Sequence, residues 1–525
     1  MSLYENIRLN MNDSLVALRY ENKEITYKKL VSNINKLITY FKESGLKKGD
    51  VVTIVLPNIP SSVYVFYALN AIGVIQNIIH PLTSFDKIIE TSKETDSKGI
   101  VLLSTLYQDN IELINRLNFK FFFANPMYDN SLLLRNLFYI KYKKPSKSNN
   151  IYLLDDFYHK KECLEVETKD DKETSIYLHS GGTTGTPKVI ELSDFAINNL
   201  VSKIDKIVDM EIKGKSMLAV LPMFHGFGLG MGIHAPLSNK ATVSLMMRFN
   251  VKKVIKWINQ NKVNMIIGVP LLYQKLLREK DFLDSKLTNL DYCFIGGDNV
   301  PQSLISNYND LMKNNNSTCL MLEGYGLTET VTVCNVNTRK DFKIGSVGKP
   351  LIGVNIKILN EDFLELEPYE IGEVFISGDT LMNAYKDDLE TTNKTMVDIN
   401  GKVYIRSGDL GYLDSDGFLF LKGRKKRMFK ISGMNVYPSE IEHIATDNND
   451  VIDASLEFFN EPKPHLVLYL IKNKYSLKDE KKIIEELSGI LESKVLKYAL
   501  PSKFIFMESF PKTNVGKIDH SKFKE

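Results

Sequence analysis

The chain has 525 residues, 43% hydrophobic and 25% charged, a composition ordinary for a globular protein and a length too great for one core. Its 67 basic and 64 acidic residues leave a formal charge of +3, so no global field argues for nucleic acid. Four widely spaced cysteines (Cys163, Cys293, Cys319 and Cys334) show no CxxC pattern and favour buried reduced thiols over a disulfide framework or a zinc site.

The N-terminal MSLYENIRLN has no basic-then-apolar leader, and the terminal HSKFKE is neither a peroxisomal nor a prenylation tag, so a cytoplasmic address is expected. Residues 63–79 form the longest apolar region, but Asn70, Gln76 and Asn77 interrupt it and it does not read as a membrane span. One grammar recurs along the chain: a short β-branched run, a small polar turn, then a helical pattern. Residues 51–56 lead through Pro57-Asn58 into a helix over 61–71. Residues 265–269 lead through Pro270 into 271–277, and residues 292–295 through Gly296-Gly297-Asp298 into 302–312. Strands alternating with helices, apolar on both faces, predict covered parallel sheets with ligands beyond the carboxyl ends of the strands. Residues 140–150 (IKYKKPSKSNN) read as a polar, lysine-rich loop.

Residues 180–188, SGGTTGTPK, combine three glycines, adjacent threonines and a lysine. Such a loop can point N–H groups, hydroxyls and one ammonium at a polyphosphate, or can be a glycine-rich surface turn. It is not a Walker loop, because Thr186 and Pro187 separate Gly185 from Lys188. From about residue 345 the spacing changes to close strands with glycine turns, at 354–359, 373–377, 403–406 and 418–421, which predicts a β-rich subdomain up to about 422. KGRKKRMFK (422–430) reads as a boundary; it lacks the interleaved aromatics of a nucleic-acid surface. Beyond it, Ser439 and Glu442 form a capping-box pattern, strands follow at 454–459 and 466–471, and a long helix opens near Ser476. This predicts a small α+β domain.

Six motifs stand in order: SGGTTGTPK, LPMFHGFG (221–228), GYGLTET (324–330), RSGDLGYLD (406–414), GRKKR (423–427) and PKTNVGKI (511–518). Together they resemble, over essentially the whole chain, the adenylate-forming (AMP-binding) superfamily of acyl-CoA synthetases, luciferases and nonribosomal adenylation domains. The fold implied is α/β: a large N-terminal AMP-binding domain (1–425) of stacked parallel-type sheets with helices and a β-rich subdomain, then a small mobile α+β lid domain (426–525) hinged at Lys426. The activity implied has two steps: a carboxylate attacks the α-phosphorus of ATP to give an acyl-adenylate and pyrophosphate, then a thiol, usually that of coenzyme A, displaces AMP.

The resemblance also assigns roles. Ser180, Gly181, Gly182, Thr183, Thr184, Gly185 and Lys188 would hold phosphates, and Glu329 with Thr184 would bind Mg2+. Tyr325, between Gly324 and Gly326, would stack on adenine opposite Gly296, Gly297 and Asp298, while Thr328 would touch the α-phosphate. Asp409 would accept the ribose hydroxyls, assisted by Arg424. Lys517 would stabilise charge building at the α-phosphate and carboxylate, and His225 would gate the carboxylate pocket. Lys430 matches a nucleotide-contacting position, and Gly433 would line the thiol tunnel after domain rotation. Three residues depart from the family pattern: Val189 stands for a glycine, Arg427 for an acid and His520 for an arginine.

The substrate is less legible. From 212 to 278 there is no Asp or Glu to pair with an amino-acid ammonium. GFGLGMG (226–232) either leaves apolar volume at its glycines or packs closely through them. With the resemblance of LPMFHGFGLGMGIH to fatty-acyl-CoA synthetases, a medium- or long-chain fatty acid is expected first and an aryl acid second. The acceptor is expected to be coenzyme A; a carrier-protein pantetheine offers the same thiol. Other readings are a non-catalytic nucleotide-binding homologue and an oxidative luciferase. The lysine-rich 140–150 segment could also graze an anionic membrane.

Overall fold

The computed structural model describes residues 1–9, 14–127, 132–180, 188–431, 434–461, 463–512 and 518–524. Two mostly parallel sheets make up the larger part. The eight-stranded one runs Ala384–Tyr385, Val189–Ser193, Thr174–His179, Ile75–Ile78, Val51–Val55, Ser97–Leu103, Lys120–Ala124, Ile151–Leu153, with Val189–Ser193 antiparallel to both its neighbours and every other pairing parallel. In the nine-stranded sheet, Val16–Tyr20, Thr242–Leu245, Ser216–Ala219, Met265–Gly268, Tyr292–Gly296 and Leu320–Tyr325 are paired in parallel, with short antiparallel strands at both edges. Strands such as Val51–Val55 and Met265–Gly268 are buried along their whole length, as continuous apolar runs in a covered sheet require.

One apolar core joins the two sheets. Helix Pro60–Ala71, uncharged and starting on a proline whose missing N–H costs nothing at that position, is buried on every side. This accounts for the apolar region at 63–79 as core. Helix Tyr27–Glu43, capped by the Thr26 hydroxyl, lays its apolar stripe on the same core. Among the described residues no helix is long and apolar enough to cross a membrane. All four cysteines are free thiols, three buried and Cys163 half-buried.

The third sheet is antiparallel, with strands Asn355–Leu359, Gly372–Ser377, Lys402–Leu413, Met396–Ile399 and Leu419–Arg424 on their own small core. Its third strand is longer than the 403–406 expected. After Arg424 the chain turns at Lys425–Arg427 into the hairpin Phe429–Ile431/Met434–Val436, helix Pro438–Thr446, a sheet of Val451–Phe459, His465–Lys472 and Lys503–Phe506, and helix Glu480–Lys494. A separate apolar core holds these elements together. The architecture is thus the expected large α/β part followed by a small α+β unit.

Three local expectations are corrected. Pro438 starts its helix one residue before Ser439, so Ser439 lies inside the first turn and its hydroxyl donates to the Lys422 carbonyl. Glu442 is drawn instead to Arg427, and no capping box forms. The long helix begins at Glu480, capped by Asp479, rather than near Ser476. The start of the 140–150 loop is the end of helix Leu132–Lys141, on which Leu137 and Ile140 are exposed.

Between the sheets, the His234 imidazole meets the Tyr67 hydroxyl at 3.0 Å and Asn198 Oδ1 at 3.0 Å, and burial pushes its pKa down to about 3. An unfolded chain takes up this proton near pH 6.5 while the folded chain refuses it. The stability contributed by neutral His234 is therefore complete above pH 6.5 and is lost as pH falls toward 3. His234→Gln should be less stable than the parent at pH 7, and the gap should narrow on going to pH 5, by at most about 1.4 kcal/mol per unit. Thermal melts of both proteins across that range check this; a gap independent of pH would show that His234 is not held neutral.

Candidate active site

The SGGTTGTPK segment joins strands Thr174–His179 and Val189–Ser193, which are antiparallel neighbours with His179 opposite Val189. Its two ends are tied: Ser180 N donates to Lys188 O at 2.9 Å, and Lys188 N to Ser180 Oγ at 3.0 Å. Gly181, Gly182, Thr183, Thr184 and Gly185 lie outside the described residues, as do Gly433 and Lys517. At the base of the loop, His179 Nε2 meets Asn77 Oδ1 at 2.7 Å, and burial, then the Lys87 charge, lowers its pKa to about 4. The departure Val189 is a strand residue whose carbonyl accepts from Lys386 N.

Lys188 extends over the Tyr385 ring, with Nζ 4.5 Å from the centroid. The Tyr385 hydroxyl donates to Glu329 Oε1 at 2.7 Å, and Met382 N donates to the Glu329 carbonyl at 2.8 Å. Burial, then the Glu329 charge, pushes the Tyr385 phenol up, so it remains a donor. The structure thus brings together Lys188 and Glu329 through Tyr385, which sequence reasoning missed. Tyr385 is separated from Glu329 by 56 positions, and nothing in its own segment marks it. A carboxylate oriented by a neighbouring donor is a fitting hard-oxygen ligand for Mg2+. Among the described residues no group of three or more His, Cys, Asp or Glu side chains gathers to hold a metal.

Thr328, Glu329 and Thr330 form one tight helical turn. It ends on Val331 at φ 66° and ψ −55°, a left-handed conformation that a β-branched residue rarely adopts. Strain of this kind, of order 1–3 kcal/mol, persists only where neighbours hold it in place. One such neighbour is Gly226: a Cβ there would overlap the Val331 carbonyl oxygen.

The second cluster is built on Asp409. Its Oδ1 lies 2.9 Å from Arg424 Nε, the residue facing it across strands Lys402–Leu413 and Leu419–Arg424. Its Oδ2 accepts from the Tyr325 hydroxyl at 2.5 Å. The Asp409 side chain is only 9% exposed, so pairing with a cation offsets the desolvation of its charge. Desolvation and then the Asp409 charge raise the Tyr325 phenol, keeping it protonated. Tyr325 ends strand Leu320–Tyr325, whose neighbour Tyr292–Gly296 places Gly296 opposite Gly324. Backbone fills the Cβ position of Gly296, and Gly297 turns away at φ 81°. A Cβ at Gly326 would overlap the Thr332 carbonyl. Asp298 is exposed, and its charge adds to burial in raising Asp453, on the far side of the Lys425–Arg427 turn, to about 6. Lys430 is exposed on its hairpin, paired with Asn435.

On the acid side, His225 is exposed rather than packed between Phe224 and Phe227, and its Nδ1 accepts from Phe227 N at 3.2 Å. It precedes a helix of wide π geometry, Phe227–His234. The glycines there do not open a channel. Cβ atoms at Gly226 and Gly228 would overlap carbonyl oxygens of Val331, Pro222 and Leu221. Those at Gly230 and Gly232 would sit 3.3 Å from Leu200 and 3.0 Å from Ile267. Close packing, not vacant volume, explains all four. Asn58 holds this segment in place, donating to Ala219 O and Leu221 O at 3.0 and 2.9 Å and accepting from Met223 N. The sequence showed Asn58 only as a turn residue.

A family model described as AMP-binding enzyme matches residues 8–386. The long-chain-fatty-acid–CoA ligase of Bacillus subtilis (strain 168) is 25% identical over 521 residues, spanning 96% of this chain and 90% of that protein. The 2-succinylbenzoate–CoA ligase of Bacillus pumilus (strain SAFR-032) is 26% identical over 515 residues, spanning 97% and 94%. Among solved structures, the anthranilate CoA ligase AuaEII in complex with anthranoyl-AMP has a TM-score of 0.85 at 20% identity, covering 99% of this chain and 96% of that one. The o-succinylbenzoate CoA synthetase (MenE) from Bacillus subtilis in complex with OSB-AMP has a TM-score of 0.81 at 22% identity, covering 100% and 97%. The chain belongs to the AMP-binding enzyme family, the adenylate-forming superfamily of acyl-CoA and aryl-CoA ligases. Several of the relatives and solved neighbours it resembles carry the name of CoA ligase or CoA synthetase.

Asp409→Asn replaces one acceptor oxygen by an NH2 facing the Arg424 guanidinium and leaves that cation unpaired. Charged hydrogen bonds contribute about 1.5–3 kcal/mol each, so kcat/KM for ATP should fall on the order of 10–100-fold. Steady-state kinetics with ATP varied check this; an unchanged kcat/KM for ATP would remove Asp409 from the nucleotide site.

Proposed function

We propose that the protein activates an unsubstituted apolar carboxylic acid, a medium- or long-chain fatty acid first and an aryl acid second, and transfers it to coenzyme A. The observation that carries the nucleotide half is the clamping of Asp409 between Tyr325 and Arg424, at the end of a parallel strand where ligands of such sheets bind. The acid half rests on the absence of Asp and Glu from 212 to 278 and on relatives that include a long-chain-fatty-acid–CoA ligase. The alternating glycines no longer contribute to it.

In the first step a carboxylate oxygen bonds to the α-phosphorus of ATP while the bond to pyrophosphate breaks. Asp409 would accept from the ribose hydroxyls, and Tyr325 would lie along the adenine with Gly296, Gly297 and Asp298 opposite. The Gly181–Gly185 stretch, Ser180 and Lys188 would face the phosphates. Mg2+, held by Glu329 and Thr184, would neutralise phosphate charge. Thr328 and Lys517 would stabilise charge building around the α-phosphorus, in a site where fixed donors cost no reorganisation. In the second step a thiolate attacks the acyl carbonyl carbon and AMP leaves with the bonding electron pair. The unit beyond Lys426 would rotate between the steps, bringing Gly433 to the thiol path.

Lys517→Ala should lose acid-dependent ATP–pyrophosphate exchange by about a hundredfold or more while still converting supplied acyl-adenylate and coenzyme A to thioester. Equal loss in both assays would sink the role given to Lys517. The acid is tested by a panel from acetate to hexadecanoate with benzoates and amino acids. Each buried methylene contributes about 0.8 kcal/mol, so kcat/KM should climb steeply to an optimum around eight or more carbons. A flat profile, or a preference for benzoates, would retire the fatty-acid reading and leave the adenylation chemistry standing.

A further inference from the structure

Two of the three residues that depart from the family pattern, Arg427 and His520, lie 93 positions apart and converge on one carboxylate. Glu457, in strand Val451–Phe459, has a side chain only 11% exposed. His520 Nδ1–H donates to its Oε1 at 2.7 Å, and the Ser455 hydroxyl donates to the same oxygen at 2.7 Å. Arg427 Nη2 stands 3.7 Å from that oxygen, 2.8 Å from Glu442 Oε1 and 3.2 Å from the Leu456 carbonyl, while Leu456 N donates to Glu442 at 2.8 Å. Arg427 thus stands between two shielded carboxylates, Glu442 and Glu457, and Glu457 in turn stands between the guanidinium and the His520 imidazole.

The ends of this chain of contacts have distinct positions. Arg427 is the residue after Lys426, where the chain passes from the third sheet to the C-terminal unit. His520 is three residues beyond Lys517, just past the point where the loop closes. There Lys512 and Ile518 form a β-bridge, and Asp519 N donates to the Pro511 carbonyl at 2.9 Å. Apolar packing also holds this end: Phe523 is buried against Tyr469 and Phe510. Such packing is non-directional; it fixes how deep the segment sits but not its rotation about its own axis. The directional contact is His520 with Glu457.

We infer that Glu457 and His520 are positioning residues for adenylation: they fix the base of the Lys517 loop to the same rigid body that Arg427 anchors to the turn at Lys425–Arg427, so that rotation there carries Lys517 into register. The inference rests on the adenylation role given to Lys517. A loop base free to twist would misplace the ammonium by about an ångström, enough to cost on the order of a hundredfold in a step that depends on orientation. The thioester step, which does not use Lys517, would be spared.

The test uses the full-length enzyme and its two half-reactions, with thermal melts alongside. His520→Phe keeps a ring to stack on Phe523 and removes only the donor; Glu457→Gln keeps the shape and removes the charge. Each should lower acid-dependent ATP–pyrophosphate exchange at least tenfold, mainly in kcat, while thioester formation from supplied acyl-adenylate and coenzyme A stays within twofold. The double variant should cost no more than the worse single one, because one contact is removed twice. His520→Arg, which returns a donor to Glu457, should stay within about threefold of the parent. Equal loss in both half-reactions, no loss in either, or failure of His520→Arg to retain exchange would overturn the inference. Lys517→Ala run in parallel separates the two readings. If that variant keeps exchange, the role of Lys517 has failed; if it loses exchange while His520→Phe does not, only the positioning role has failed.

Discussion

Asp409 is a shielded carboxylate that must be paired, and the way it is paired organises the molecule. Its two partners come from different sheets: Tyr325 from the end of a parallel strand in the nine-stranded sheet, and Arg424 from the antiparallel sheet that follows. A buried charge with one partner removed is strongly destabilising, so the two sheets are tied at that point by electrostatics as well as by packing. Arg424 is also the last residue of its strand, and the next three residues form the turn into the C-terminal unit. The contact at Asp409 therefore sets the origin from which the remaining hundred or so residues hang.

A second pairing does comparable work across the first sheet. Tyr385 lies on the edge strand that pairs antiparallel with Val189–Ser193, and it reaches both Glu329 and Lys188. The phosphate loop and the TET turn thus share one aromatic side chain, which accepts a cation on its face and donates a proton at its tip. Because the glycine-rich segment 226–232 packs against the same turn through Val331, that segment and the TET turn are mechanically continuous.

Much of the fold was legible because period and punctuation agreed: the runs at 51–56, 265–269 and 292–295 are buried parallel strands, each followed by the expected helix. Errors fell where a remote partner decided the outcome. Residues 403–406 read as a short strand because Ser407-Gly408-Asp409 looks like a turn. Pairing with Leu419–Arg424 carries the strand through Gly408 at φ 70° and a bulge near Leu410. Ser439 and Glu442 have capping-box spacing, but each found a partner in the segment 422–427. Tyr325, Asp409 and Arg424 came from the motif resemblance rather than from spacing, and no local pattern points to Tyr385 or Asn58. The expectation of buried free thiols, met at Cys293, Cys319 and Cys334, needed only composition and spacing.

The left-handed Val331 and the bare Gly226 are two halves of one fitted contact. Neither position is free to drift alone: a side chain at 226 would push a carbonyl that is already strained, and the displacement would be felt two residues upstream at Glu329. Enlarging residue 226 in the GFGLGMG segment would therefore disturb the Glu329 turn before it altered anything further along that segment. Changes at 226 and 331 should be sampled jointly in any library, and natural relatives should vary there in concert.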